Sequence, residues 1–221
     1  MRCGSPLTHR ERLVAVAAVA ALAWYVTSWA VAGLVEVGYD PAEQAISELF
    51  DHGASWLPRT LLVSGLLASA VALVAFGLLL HRRLPGASPL GPAAIVGSGI
   101  ATGSIVAFPC TAGCPGAGAT WTDTGHGVLA TLGYGLLVVA PLLVGWRVRH
   151  ALPTLAAWSF ALGGAAVAVF VINQVGLLGL GAGTAQRVFN TTADLWYVVA
   201  AVWLLRGAHL PSPSIHSEEL A

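Results

Sequence analysis

The chain has no lysine; all ten of its basic residues are arginine. Only 9% of its 221 residues are charged, against about a quarter in soluble domains, so an ordinary soluble fold is excluded. Formal net charge is +0 and no basic stripe runs through it, which removes the electrostatic basis for nucleic-acid binding. Apolar and polar residues do not alternate, as a transmembrane barrel requires. No histidine stands inside an apolar run, so a b-type haem has no axial ligand and no cofactor is expected. There is no CxxC pair and no convincing internal repeat. Paired repeats and Gly/Pro-broken helices mark many transporters, and neither is evident here.

What the chain does have is apolar length: 57% hydrophobic residues and a mean hydropathy of +0.78. Six runs are legible, at about Leu13 to Leu34, Thr60 to Leu80, Leu90 to Phe108, Gly127 to Trp146, Pro153 to Leu178 and Val188 to Leu205. Each approaches the ~20 residues that cross a hydrocarbon core. The first is too long for a secretory signal, and Trp24, Tyr25 and Trp29 stand where a cleavage site would want small residues. It is expected to remain as a helix.

The arginines sort between the gaps. Eight of ten (Arg2, Arg10, Arg12, Arg82, Arg83, Arg147, Arg149, Arg206) fall at the two ends or in gaps two and four. Six of ten acids (Glu36, Asp40, Glu43, Glu48, Asp51, Asp123) fall in gaps one and three. Because cytoplasmic loops retain arginine, the expectation is a multi-pass protein of the cell membrane with both termini cytoplasmic. The fold expected is all-α: a polytopic bundle of six transmembrane helices over residues 13–206. Residues 1–12 form a cytoplasmic N-terminus and 207–221 a disordered cytoplasmic tail. Small-residue stretches at Gly97–Ser104 and Ala161–Ala168 suit close helix packing. Trp24, Trp29, Trp56, Trp146 and Trp203 suit interfacial anchoring.

Gap one, GYDPAEQAISELFDHG, predicts a short amphipathic helix on the outer surface. Asp40 is placed as N-cap, Pro41 at N1, Glu43 at N3, and Gly53 at the end. Its acidic face is either solvated or turned back, with Ser47 and Glu48, into the mouth of the bundle. Gap three carries Cys110 and Cys114, which an oxidising outer space would join as a disulfide. A metal site would need Asp123 and the distant His126 to complete it, and no metal is expected. Cys3, on the other side, is expected as a free thiol. His126 marks the entrance of helix four, where a lone histidine is commonly structural.

Helix six, QRVFNTTADLW, holds the most informative residue. Asp194 lies two turns below Arg187, roughly 10 Å at 1.5 Å per residue. An intramembrane carboxyl costs about 2.5–3.5 kcal/mol on insertion scales, so it is a functional hypothesis whose partner must be named. Arg187, seven residues away on the same face, is the partner expected, with Asn190, Thr191, Asn173 and Gln174 nearby. A polar network that only stabilises the bundle is the alternative.

GYDPAEQAISELF, FPCTAGCPG, the TGHG opening helix four, and the QRV…LW of helix six together resemble the bacterial membrane proteins grouped as domain of unknown function 998. The resemblance covers about Leu13 to Arg206. It implies the six-helix architecture and marks Asp40, Pro41, Ser47, Glu48, His126, Arg187 and Trp196 as matching recurring positions. Many relatives carry Asp-Pro after the first cysteine of gap three; here Thr111-Ala112 stands instead, which weakens any metal or acid role for that loop.

The functional expectation is an integral membrane enzyme doing acid–base chemistry on an isoprenoid or lipid-like substrate in an outer-leaflet cavity. The reaction would be isomerisation, cyclisation or head-group hydrolysis. Glu48, His126 and Asp194 are the catalytic candidates; Ser47, Asn173, Gln174, Arg187 and Trp196 would bind substrate. Membrane lipid is the partner expected. A non-enzymatic chaperone, sensor or partner subunit is the alternative, and a small transporter a weaker one.

Overall fold

The computed structural model describes residues 6–115, 118–174 and 179–207. Six helices follow one another: α1 (His9–Val35), α2 (Trp56–Arg83), α3 (Leu90–Ser104), α4 (Trp121–Val148), α5 (Pro153–Gln174) and α6 (Ala182–Leu205). All six are long and apolar enough to cross a membrane, α3 with the 3-10 turn Ile105–Ala107 that continues it. Among the described residues there is no strand. The protein is a multi-pass membrane protein. The N- and C-terminal stretches 1–5 and 208–221, with Cys3, lie outside the described residues.

Each helix packs on its neighbours in sequence, and α6 closes the ring against α1. Loops one and three and the start of α6 therefore share one end of the bundle, and loops two and four share the other with the start of α1 and the end of α6. Large apolar side chains on the outside, such as Val16, Val71 and Leu195, are left exposed, as a lipid-facing surface requires. One core, built around Phe76, Ile95, Val144, Trp196 and Tyr197, runs through the bundle. A second cluster, of Tyr25, Ile46, Leu49, Phe50 and Leu62, fills the loop-one end.

The small-residue stretch of α3 is a packing device. A Cβ on Gly99 would stand 2.8 Å from the Ala70 carbonyl oxygen of α2, and Ser98 donates to the Gly133 carbonyl of α4 at 2.9 Å. At the end bearing the termini, arginines tie the helices. Arg83 pairs with Glu11, itself in a capping box with Thr8. Arg147 donates to the Pro85 and Leu84 carbonyls at 2.9 and 2.6 Å. Trp56 and Trp146 are exposed near helix ends, while Trp29 is partly buried beneath loop one.

Four helices begin earlier than hydropathy predicts: α1 at His9, α2 at Trp56, α4 at Trp121 and α6 at Ala182. Their first turns are polar but capped or packed. Thr120, for example, accepts from Asp123 N–H at 3.1 Å. His126 and Arg187 consequently sit inside helices instead of at their entrances. Helix α5 ends at Gln174, and the expected continuation over 175–178 lies outside the described residues.

Candidate functional site

Loop one is not the amphipathic surface helix that its spacing predicts. Residues 41–44 form turns, and a short 3-10 helix, Ile46–Phe50, follows. Ile46, Leu49 and Phe50 are almost fully buried, so this segment plugs the bundle instead of floating on it. The physical reason is where its carbonyls go. Arg187 donates to the Pro41 and Gln44 carbonyls at 2.7 and 3.2 Å. Thr184 N–H reaches the Ala42 carbonyl at 2.9 Å and Gly183 N–H the Glu43 carbonyl at 3.3 Å. The Tyr39 hydroxyl donates to the Gln44 and Ala45 carbonyls at 3.0 and 2.9 Å. Five successive carbonyls are thus satisfied by Tyr39 and the start of α6, leaving no i to i+4 ladder. A Cβ on Gly183 would collide with the Gln44 and Pro41 carbonyls; only glycine permits this approach. Burial raises the Tyr39 phenol above its usual 10.0, outweighing the opposing pull of the Arg187 guanidinium.

Glu48, Asp51 and Asp123 are tied into the loops by hydrogen bonds. Glu48 accepts from Ala45 N–H at 2.8 Å and from the Gln44 amide at 2.9 Å. Asp51 accepts from Gly53 and Ala54 N–H in its own turn, at 2.6 and 2.8 Å, and from Gly113 N–H of loop three at 2.8 Å. His52 N–H donates to the Cys110 carbonyl at 3.0 Å. Cys110 and Cys114 are joined by a disulfide. Thr111 bonds Asp123 through both its N–H, at 2.8 Å, and its hydroxyl. Loops one and three are thereby stitched into a single roof.

Beneath the roof lies a chamber of about 370 Å³. Glu48, Ser47, Phe50, His126, Tyr134 and Gln186 are among its walls. His126 is buried, with Nδ1 2.9 Å from the Phe108 carbonyl. A carbonyl only accepts, so Nδ1 carries a proton, and in the neutral ring Nε2 holds the lone pair. The ring packs 5.5 Å from Phe50. Below, a smaller space of about 60 Å³ shares Tyr25 and Tyr134 with the chamber and has Asn190 and Asp194 in its wall. Above, a polar vestibule of about 180 Å³ shares Glu48 and Gly113 with it.

The polar groups below the roof come mainly from one stripe of α6: Gln186, Asn190 and Asp194, spaced by four. Gln186 accepts from Ile46 N–H at 2.6 Å and donates to the Tyr134 hydroxyl at 2.8 Å. Asn190 donates to the Tyr25 hydroxyl at 3.2 Å. Asp194 ends the stripe. It is 8% exposed, and its Oδ2 is buried with no hydrogen-bond partner.

The expected Arg187–Asp194 pair does not form. Arg187 is turned to loop one, donates to the Tyr39 hydroxyl at 2.7 Å and lies 5.3 Å over the Trp29 ring. The two residues share a face but lie roughly 10 Å apart along the helix axis at 1.5 Å per residue, and the Arg187 guanidinium is engaged by the loop-one carbonyls and Tyr39 instead. Trp196 is also away from the chamber. It is buried between α5 and α6, its indole donating to Ser159 at 3.0 Å. The side chains of Asn173 and Gln174 lie outside the described residues. Ser47 and His126 face the chamber as expected. Tyr25, Tyr134 and Gln186 were missed; the i, i+4 spacing 186–190–194 was the available signal for the last.

A family model described as "Protein of unknown function (DUF998)" matches residues 18–203. Neither the curated proteins nor the solved structures contain a match to the chain.

Proposed function

This chain belongs to the DUF998 family of the matched model, and from that premise we propose that it is an integral membrane enzyme. It moves a proton on a lipid-like substrate held in the roofed chamber and the smaller space beneath it, whose wall includes Asp194, in an isomerisation, a cyclisation or a head-group hydrolysis. Asp194 is the general acid or base, and His126, through Nε2, is the second proton-transfer group. The observation that carries this reading is the bare Oδ2 of Asp194. A buried polar atom without a partner calls for an explanation, and a reacting or ligand-binding role supplies one. Glu48 moves from catalytic candidate to positioning residue, since its oxygens hold Gln44 and Ala45. Arg187 and Ser47 shape the entrance.

Purified protein in nanodiscs, supplied with prenylated and acylated substrates, should give products that fall at least ~100-fold in Asp194→Asn, the range of general acid–base catalysis. Full turnover in that variant overturns the assignment.

A second reading, a non-enzymatic partner subunit, is favoured by one observation: Arg187 and Glu48, the expected ligand-binding and reacting groups, both hold loop one. It predicts a stability loss in Asp194→Asn and no turnover to lose.

The arginine distribution supports a cell-membrane protein with both termini cytoplasmic and the roof outside. Reporters fused at each end, read for cytoplasmic activity, test this; an active periplasmic reporter at either end reverses it.

A further inference from the structure

Asp194 faces a second space. Between α1 and α6, on the outside of the bundle, runs a groove of about 630 Å³ whose walls include Leu22, Ala23, Thr27, Thr192, Asp194 and Leu195. Leu22 and Asp194 also line the interior space under the chamber, so one carboxyl belongs to both sides of the wall. The helices meeting here are the first and last of the ring, joined by no loop of their own. Towards the roof their seam is closed by the Asn190–Tyr25 bond and by the loop-one clasp. Deeper, it opens.

The groove is apolar, and three of its four polar side chains, Thr27, Thr192 and Asp194, offer only acceptors, while the Thr191 hydroxyl can also donate. The Thr27 hydroxyl donates to the Ala23 carbonyl at 2.8 Å, and the Thr192 hydroxyl to the Val188 carbonyl at 2.7 Å. Their hydrogens are engaged, and what they offer a ligand is lone pairs. Asp194 adds an oxygen with no partner. An apolar trough with acceptors at one place and no basic side chain in its walls suits neither an anionic head group nor a plain alkyl chain. Its position on the lipid-facing surface gives access from the bilayer, and its size is that of small-molecule sites, about 300–1,000 Å³.

We infer that the α1–α6 groove binds a long-chain lipid whose polar end carries an O–H or N–H donor, with the chain along α1 and α6 and the donor on Asp194. Binding here does not require that chemistry follow.

The test uses the full-length protein in nanodiscs and a photoreactive long-chain alcohol. Labelling should saturate and map to 19–27 and 191–198. Unlabelled long-chain alcohol or amine should compete, the better of the two identifying the donor. The matched methyl ether should compete at least tenfold more weakly. Leu195→Trp, a lipid-facing change that fills the groove, should cut labelling at least tenfold while leaving the unfolding midpoint in place. Equal competition by the ether, non-saturable labelling, or wild-type labelling of Leu195→Trp overturns the inference. Specific labelling without turnover in any substrate would remove the enzymatic reading and keep the groove. Wild-type labelling of Leu195→Trp with turnover retained would remove the groove and keep the enzymatic reading.

Discussion

The roof and the middle of α6 treat their acids in opposite ways. Under loops one and three, Glu48, Asp51 and Asp123 each accept several hydrogen bonds, mostly from backbone N–H groups. In α6, Asp194 is equally enclosed by protein, and its Oδ2 accepts none. Burial of a carboxyl alone therefore does not separate the two regions. Whether its lone pairs are engaged does, because a satisfied acid stabilises the fold it sits in while a bare one is a cost the fold carries for another reason.

Substitutions can break or sharpen that contrast. The largest effect on stability is expected from Arg187→Met, which strips donors from the Pro41 and Gln44 carbonyls and from Tyr39. A loss of about 3 kcal/mol is expected, as bonds to charged groups run to ~1.5–3 each. Denaturant unfolding in micelles reads it, and proteolysis within loop one should accelerate. Gly183→Ala drives a methyl into the same two carbonyls and should cost about 2 kcal/mol, in the range for overpacking. Glu48→Gln weakens the cap of the 3-10 helix by about 1 kcal/mol. Tyr39 gives a smaller, pH-dependent effect. Its pKa is raised in the folded protein, so its contribution is complete below the ordinary value near 10 and is lost as pH rises through the folded value. Unfolding midpoints measured above pH 10 should decline less steeply in Tyr39→Phe than in the parent chain. Asp194→Asn should change stability least, by under ~0.5 kcal/mol, because no hydrogen bond of the carboxylate is broken. If it instead costs as much as Glu48→Gln, the contrast between the two regions collapses and the partner-subunit reading gains.

Much of this was legible in the chain. The six spans follow from apolar run length, and the disulfide from two cysteines four apart in one acidic gap. Asp194 stands out because an acid in an apolar run is costly, and His126 because it opens a run. The loop-one clasp was not legible, since it is made of backbone carbonyls meeting a helix more than 130 residues away, and carbonyls carry no sequence signature. Its residues keep a helical spacing of apolar positions because Ile46, Leu49 and Phe50 are buried, though by a plug and not by a membrane surface. Tyr25 and Tyr134 escaped notice because a tyrosine within an apolar run reads equally well as core packing. The Arg187–Asp194 pairing failed because Arg187 is held by the Pro41 and Gln44 carbonyls and Tyr39, contacts from distant sequence that helical spacing does not reveal.

The clasp between loop one and the start of α6 also bears on the order of synthesis. The carbonyls of Pro41 through Gln44 leave the ribosome long before Gly183, Thr184 and Arg187 exist to receive them. Until the final span inserts, the roof has no keystone, and a nascent protein of five spans carries an unfinished pocket. A membrane chaperone or quality-control protease scanning for incomplete chains would find its signal there.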